Sequence, residues 1–290
     1  MPDNLAPVSN GSITGFCTLR QAQVLDFAGP DAVAFAQAQF ANDVAALADG
    51  HWQWNAWLNA KGRVLAIFQL LRLDATRLLL VCHDGDGEAM AEQLRRFVFR
   101  RKLVIARADG FFVEAALQAP FAARGTVMAQ RGEGLIELDV GSPVLPRTLR
   151  LAAHAGTAAD EATDLAWRQS DLHFGLPRLE PSQREQWTPQ QLGLDRLAAY
   201  SVKKGCYPGQ EIVARTHFLG KAKRAATLLE VPAGSAAGDE VRKDGQAIGT
   251  LASVAGTLAL AVLPLEIDNA GLGVADGAAT VLPFIEGLAR

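Results

Sequence analysis

Residues 203–215 read Lys-Lys-Gly-Cys-Tyr-Pro-Gly-Gln-Glu-Ile-Val-Ala-Arg. A thiol, a phenol, an amide, a carboxylate and two ammonium groups crowd onto one short run. Gly205 and Gly209 allow backbone shapes closed to other residues, and Pro208 fixes a turn. Two readings stand side by side: a loop that carries chemistry or a ligand, and a surface loop with a chance cysteine. Cations beside a thiol favour the thiolate. Cys206 therefore suits either redox chemistry or transient ligation of a soft metal, with Lys204 as its helper. A single thiol does not hold a metal cluster, which takes about four ligands.

No other metal-binding set is expected. Cys17, Cys82 and Cys206 lie far apart without a CxxC, and the five histidines form no HxH or HxxxH. That pattern argues against a disulfide scaffold and a zinc ribbon. Cys17 and Cys82 read as inert core residues, and a reducing cytoplasm fits best.

These groups need a frame. The chain has 290 residues, 49% of them hydrophobic, with a net charge of −3. It is long enough for two or three packed units, and a soluble globular class is expected. The near-neutral charge disfavours a general nucleic-acid or membrane binder. No apolar run approaches the roughly 18 residues of a membrane span. The stretch MPDNLAPVSNGS reads as a frayed tail rather than a signal peptide.

Residues 21–28 read as a strand, stopped by Gly29-Pro30-Asp31, with Asp31 capping a helix that buries Val33, Phe35, Ala36 and Phe40. The runs 51–58 and 63–73 flank Asn59-Ala60-Lys61-Gly62, a hairpin signal. Trp52 and Trp54 fall on one strand face and Trp57 on the other. Residues 77–82 form a further strand. Residues 87–99 form a helix with Met90, Leu94, Phe97 and Val98 on one face. The basic aromatic stretch 95–102 then reads as a helix end with its cations in water, with an RNA contact as the alternative. Strands return at 102–106 and 111–118, with more within 126–151. A loop at 154–164 leads into a helix around Trp167. From Ala225 short apolar runs alternate with Gly and Asp turns, the pattern of a small β-barrel. Positive charge concentrates at 203–224, the junction before that barrel. The expected class is α+β, with a region 1–224 in two parts (about 1–118 and 119–224) followed by a barrel at 225–290.

The run Lys204-Gly-Cys-Tyr-Pro-Gly-Gln-Glu211 resembles the K-G-C-Y-x-G-Q-E signature of YgfZ-type folate-binding proteins, a branch of the glycine-cleavage T-protein (GcvT) superfamily. Phe27-Ala-Gly-Pro-Asp31, with Gln37, Gln39, Asn42 and Asp43, is similar to the superfamily's opening strand–helix segment. Asn59-Ala-Lys-Gly62 is similar to its D-A-K-G hairpin, with Asn in place of Asp. Gly175-Leu-Pro177, Thr188-Pro189 and Leu194-Asp195 resemble the approach to the signature. The resemblance spans nearly the whole chain. It implies two α+β, ferredoxin-like subdomains around a central cleft and a C-terminal β-barrel.

The resemblance also implies a cofactor, tetrahydrofolate or a one-carbon derivative, bound non-covalently. Trp167 stands ten residues before Pro177, where the family has a folate-contacting tryptophan; a core aromatic is the other reading. Lys204 and Arg215 are expected at the anionic glutamate tail. Glu211 either reads pterin donors or pairs with an arginine. Tyr207 either stacks or packs, and Gln210 completes the polar set. The implied role is a folate-binding accessory protein for assembly or repair of iron–sulfur clusters in client enzymes, tRNA-modifying ones included. The expected partners are folate and iron–sulfur client or assembly proteins, without membrane or direct nucleic-acid contact. A folate-dependent aminomethyltransferase and an RNA-binding module are the alternatives. Against the transferase, the T-protein's G-G-x-x-D-D hairpin acids align with Ala66 and Ile67, which cannot move a proton.

Overall fold

The computed structural model describes residues 15–290 apart from 86, 133, 221 and 269; the N-terminal stretch read as a tail lies outside the described residues. In chain order come β1 (Cys17–Thr18), β2 (Gln23–Ala28), α1 (Ala32–Gln39), β3 (His51–Leu58), β4 (Val64–Asp74) and β5 (Arg77–Cys82). Next are α2 (Gly87–Arg95), β6 (Val104–Arg107), β7 (Phe112–Ala116), β8 (Ala129–Arg131), β9 (Leu135–Asp139) and β10 (Thr148–Ala152). α3 (Glu161–His173) and α4 (Gln210–Phe218) precede six further strands: β11 (Arg224–Glu230), β12 (Glu240–Lys243), β13 (Gln246–Ala255), β14 (Leu258–Pro264), β15 (Leu272–Val274) and β16 (Gly277–Leu282).

One five-stranded sheet has the order β3-β4-β5-β2-β6, a second the order β1-β7-β10-β9-β8, and β11-β14-β13-β12-β15-β16 close into a barrel. All named pairings are antiparallel, as in Trp54↔Gln69 of β3 and β4 and Leu25↔Leu80 of β2 and β5. β7 pairs with β10, Leu149 opposite Ala115, so the strand at 112–116 joins the second sheet rather than the first.

The first sheet is buried on both faces, which explains its near-continuous apolar strands. One face packs on α1 and α2 through Phe27, Phe35, Phe68, Met90 and Leu94. The other meets the second sheet and the α3 region through Trp52, Trp54, Val81, Leu149 and Trp167. Period-2 alternation puts Trp52 and Trp54 in this second core and Trp57 in the first. Ala66 and Ile67 are buried, one in each core.

Two local expectations are corrected. Asp31 makes no side-chain cap to α1; its carboxylate accepts from the backbone N–H of Lys102 at 2.6 Å. α2 stops at Arg95, so Phe97 turns outward instead of joining Met90 and Leu94 in the core. The helix around Trp167 is α3, capped by the Asp160 carboxylate accepting from Thr163 N at 2.8 Å. Among the described residues no helix is long and apolar enough to cross a membrane.

Candidate functional site

The signature loop is held by contacts to the other recognisable motifs. Gly209 has a left-handed φ of 81°, and a Cβ there would lie 2.6 Å from Asn59 O and from Gly62 Cα. Gly62, at φ 70°, would in turn drive a Cβ to 2.8 Å from Ile212 Cβ. The two glycines are thus required by each other, hairpin turn against the start of α4. Asn59 closes its turn by accepting from Lys61 N and Arg63 N at 2.9 and 3.0 Å. Its amide donates to Glu185 Oε2 at 2.8 Å, a bond that the family's Asp could not make.

Lys204 is 5% exposed, and its ammonium donates to the carbonyls of Gln37 (2.6 Å), Phe40 (2.5 Å) and Asn42 (3.0 Å). All three of its protons are used. It satisfies carbonyls at and beyond the C-terminal end of α1 that the helix leaves unpaired. Burial lowers its pKa to about 8, with Asp43 opposing. The surrounding polar residues hold the acceptors in place. Asn42 donates to Trp54 O and Ala198 O at 2.9 and 2.6 Å, and Gln37 Oε1 accepts from Val44 N at 2.8 Å. Lys204 therefore anchors the loop and does not face a ligand, contrary to both roles expected of it.

Tyr207 is also buried; its hydroxyl donates to Ser201 O at 3.3 Å, and burial raises its pKa to about 12. The Lys204 ammonium lies 4.9 Å from its ring centroid, so Tyr207 packs rather than stacking on a ligand. Gln210 donates to Lys204 O at 3.1 Å. Cys206, between these anchors, is exposed, as are Glu211 and Arg215 on α4. Cys82 is buried as expected, whereas Cys17 is half-buried beside Ala115 O, its thiol pKa pushed up by burial and by Asp160 and Glu114.

Trp167 lies elsewhere. It lines a cleft of about 420 Å³ together with His83, Asp84, Arg168, Arg178 and Glu180. None of the signature-loop residues Lys204, Cys206, Tyr207, Gln210, Glu211 and Arg215 lines that cleft. The expected single site is therefore two features: an aromatic, charged cleft and an anchored loop with an outward thiol.

Behind the cleft runs a buried chain of charges that sequence reasoning missed. The Arg147 guanidinium sits over the rings of Trp167 and Phe174, at 4.8 and 4.6 Å from their centroids. It donates to Asp171 Oδ1 at 2.7 Å, and Arg178 donates to Asp171 Oδ2 at 2.8 Å. Arg178 also pairs with Asp84 at 3.4 Å. Burial pushes the Asp171 carboxyl up, but the Arg178 and Arg147 guanidiniums hold it below the usual carboxylate range. Burial, with Arg178 close by, drives the His83 pKa well below normal, so its ring is neutral. Its Nε2 meets Gln69 Oε1, and Nδ1 has no hydrogen-bond partner among the described residues. The buried Trp167 Nε1 has none either. With Gln69 accepting from Nε2–H, two residues of the cleft lining carry unpaired buried atoms, an acceptor at His83 Nδ1 and a donor at Trp167 Nε1. Buried polar groups are rarely left so, and the two residues that carry them line a cavity of ligand size.

The only sequence hint of this chain was a polar pair, His83-Asp84, at the end of an apolar strand. Its other members are distant in sequence and meet only through the fold.

No family model matches the chain. It is 28% identical over 276 residues to the tRNA-modifying protein YgfZ of two Aliivibrio fischeri strains, covering 83% of this chain and 82% of theirs. An uncharacterized protein of Haemophilus influenzae is 27% identical over 221 residues, covering 74% of this chain and 73% of its own. The crystal structure of the glycine cleavage system aminomethyltransferase T from Bartonella henselae superposes with a TM-score of 0.72 at 18% identity, over 94% of this chain and 86% of that one. The chain is similar to YgfZ-type proteins over most of its length, and its fold, two mixed sheet-and-helix layers closed by a six-stranded barrel, is that of the Bartonella henselae aminomethyltransferase.

Proposed function

We propose that this protein binds a reduced folate in the Trp167 cleft and supports assembly or repair of iron–sulfur clusters in client enzymes, tRNA-modifying enzymes among them. The observation that carries the folate reading is a cleft lined by Trp167 and His83, whose buried Nε1 and Nδ1 have no partner among the described residues. A pterin presents donors and acceptors along one flat edge, which suits one free donor and one free acceptor beside an indole. Asp84 and Glu180 supply carboxylate acceptors for ring N–H groups, and Arg168 supplies a cation for the glutamate tail. A bound folate would add a one-carbon carrier. The chain's own residues orient it, with the Arg147–Asp171–Arg178 chain fixing the indole and the cleft wall.

The names of the curated relatives support the tRNA-modification context. The iron–sulfur task rests on the resemblance together with the exposed, rigidly anchored thiol of Cys206. In this reading the cluster is cargo, since one thiol falls short of the roughly four ligands a cluster takes. Ala66 and Ile67, buried where the transferase has acids, support an accessory role over aminomethyl transfer.

The test is complementation of a strain lacking the gene, reading the activities of several iron–sulfur enzymes under oxidative stress. Wild type should restore them; Trp167→Ala and Cys206→Ser should each fall short while remaining folded. Full restoration by both variants would remove the reading.

A further inference from the structure

Residues 95–102 read Arg-Arg-Phe-Val-Phe-Arg-Arg-Lys, five cations and two phenylalanines without an acid. Beyond α2 the backbone curls into tight turns, with Phe97 N donating to Leu94 O at 2.9 Å and Arg101 N to Val98 O at 3.0 Å. Val98 packs on the core beneath α1 and α2. Phe97 and Phe99 point away, 47% and 87% exposed. Phe99 has φ 46°, a left-handed conformation that a bulky side chain rarely adopts.

The knuckle is pinned on both sides. Arg95 Nε donates to Ile105 O at 2.9 Å, and Lys102 N donates to Asp31 Oδ2 at 2.6 Å. Gly29 lies against it so closely that a Cβ there would meet Lys102 O at 2.2 Å. A strained, largely exposed ring is thus held outward by an ordered frame.

Its charges are largely uncommitted. Arg95 pairs with Glu88 at 3.0 Å, and Arg96 pairs with Glu92 at 3.6 Å where both are well exposed, a weak bridge. Arg100, Arg101 and Lys102 are exposed and have no ion pair among the described residues. Arg101 only approaches the Phe35 ring, at 5.8 Å. Asp31, which reaches the far end of the run, is engaged with the Lys102 backbone.

We infer that this knuckle is a contact surface for folded RNA, with backbone phosphates meeting Arg100, Arg101 and Lys102 and an unstacked base resting on Phe99. Aromatic rings beside cations are how proteins hold unpaired bases without reading sequence. The net charge of −3 argues against nucleic acid only as an average; here the positive charge is local. A bilayer would take up a continuous apolar face. The two rings are flanked on both sides by cations, and Val98 between them packs on the core, so they form no continuous apolar face and the pattern fits RNA better. The inference goes beyond the folate reading and stands without it.

The experiment is fluorescence anisotropy of a labelled, in vitro-transcribed tRNA titrated with the full chain at 50 and 200 mM salt. Wild type should bind saturably, with log K falling against log salt with a slope of roughly −2 to −4, as for three or four phosphates. Phe99→Ala should weaken binding on the order of tenfold to a hundredfold. Arg100→Glu with Lys102→Glu should weaken it further and flatten the slope. Phe121→Ala, an exposed ring elsewhere on the surface, should change nothing. Thermal melts of each variant should match wild type. No RNA binding at 50 mM salt overturns the inference, and so does binding that Phe99→Ala and the charge reversal leave intact. Sedimentation with vesicles of 30% phosphatidylserine that depends on these residues, without RNA binding, also overturns it.

Discussion

Replacing Lys204 with Met retains most of the apolar stem and removes the ammonium. Three backbone carbonyls, Gln37 O, Phe40 O and Asn42 O, then lose their donor in a buried setting. An unsatisfied buried acceptor costs about 1–3 kcal/mol. The variant also escapes the desolvation of a buried ammonium, which recovers several kcal/mol. The balance expected is a loss of about 3 kcal/mol, read as a lower urea midpoint at unchanged slope. The sign with pH is specific. The folded pKa of about 8 lies below the ordinary lysine value, here 10.5. Between those values the unfolded chain binds more protons, so this residue's contribution to stability rises as pH climbs through that window and is constant below it. Wild type should therefore gain on Lys204→Met from pH 8 to 10. A variant within 0.5 kcal/mol of wild type at pH 7 would refute the anchoring role and return Lys204 to the list of ligand contacts.

Cys206→Ser should leave stability within about 0.5 kcal/mol, because the side chain is exposed; urea melts check this beside the complementation assay. Asn59→Asp, which restores the family's residue, should destabilise by about 1–2 kcal/mol through the lost bond to Glu185 and a new like-charge contact. Raising the salt should shrink that deficit. Asp171→Asn leaves Arg147 and Arg178 without their shared buried carboxylate and should cost about 3–5 kcal/mol in the same melts. In a reconstituted glycine-cleavage assay the wild-type protein should form methylene-tetrahydrofolate no faster than background.

Much of the scaffold was legible because it obeys simple periods. Alternation assigned Trp52 and Trp54 to one face and Trp57 to the other, and the Gly- and Asp-punctuated runs after Ala225 announced the barrel. The motifs were legible too, but as separate items. Their mutual use was not: Gly62 and Gly209 touch through backbone, and Lys204 reaches carbonyls that carry no side-chain signal. A lysine in a glycine loop looks like a ligand contact when its acceptors are peptide oxygens more than 160 residues away. Phe97 misled for a related reason. The helical period continued past Arg95, but the turn at Phe99 took the chain out of register. The cleft network joins side chains at 83, 147, 171 and 178, a set that only the tertiary fold assembles.

Isothermal titration calorimetry of tetrahydrofolate, kept reduced, into the purified protein addresses the central claim most directly, with Trp167→Ala and His83→Ala alongside. A saturable one-to-one heat that weakens at least tenfold in both folded variants, and is unchanged in Cys206→Ser, is the predicted result. No heat of binding up to millimolar folate, or full-strength binding by both cleft variants, would contradict it.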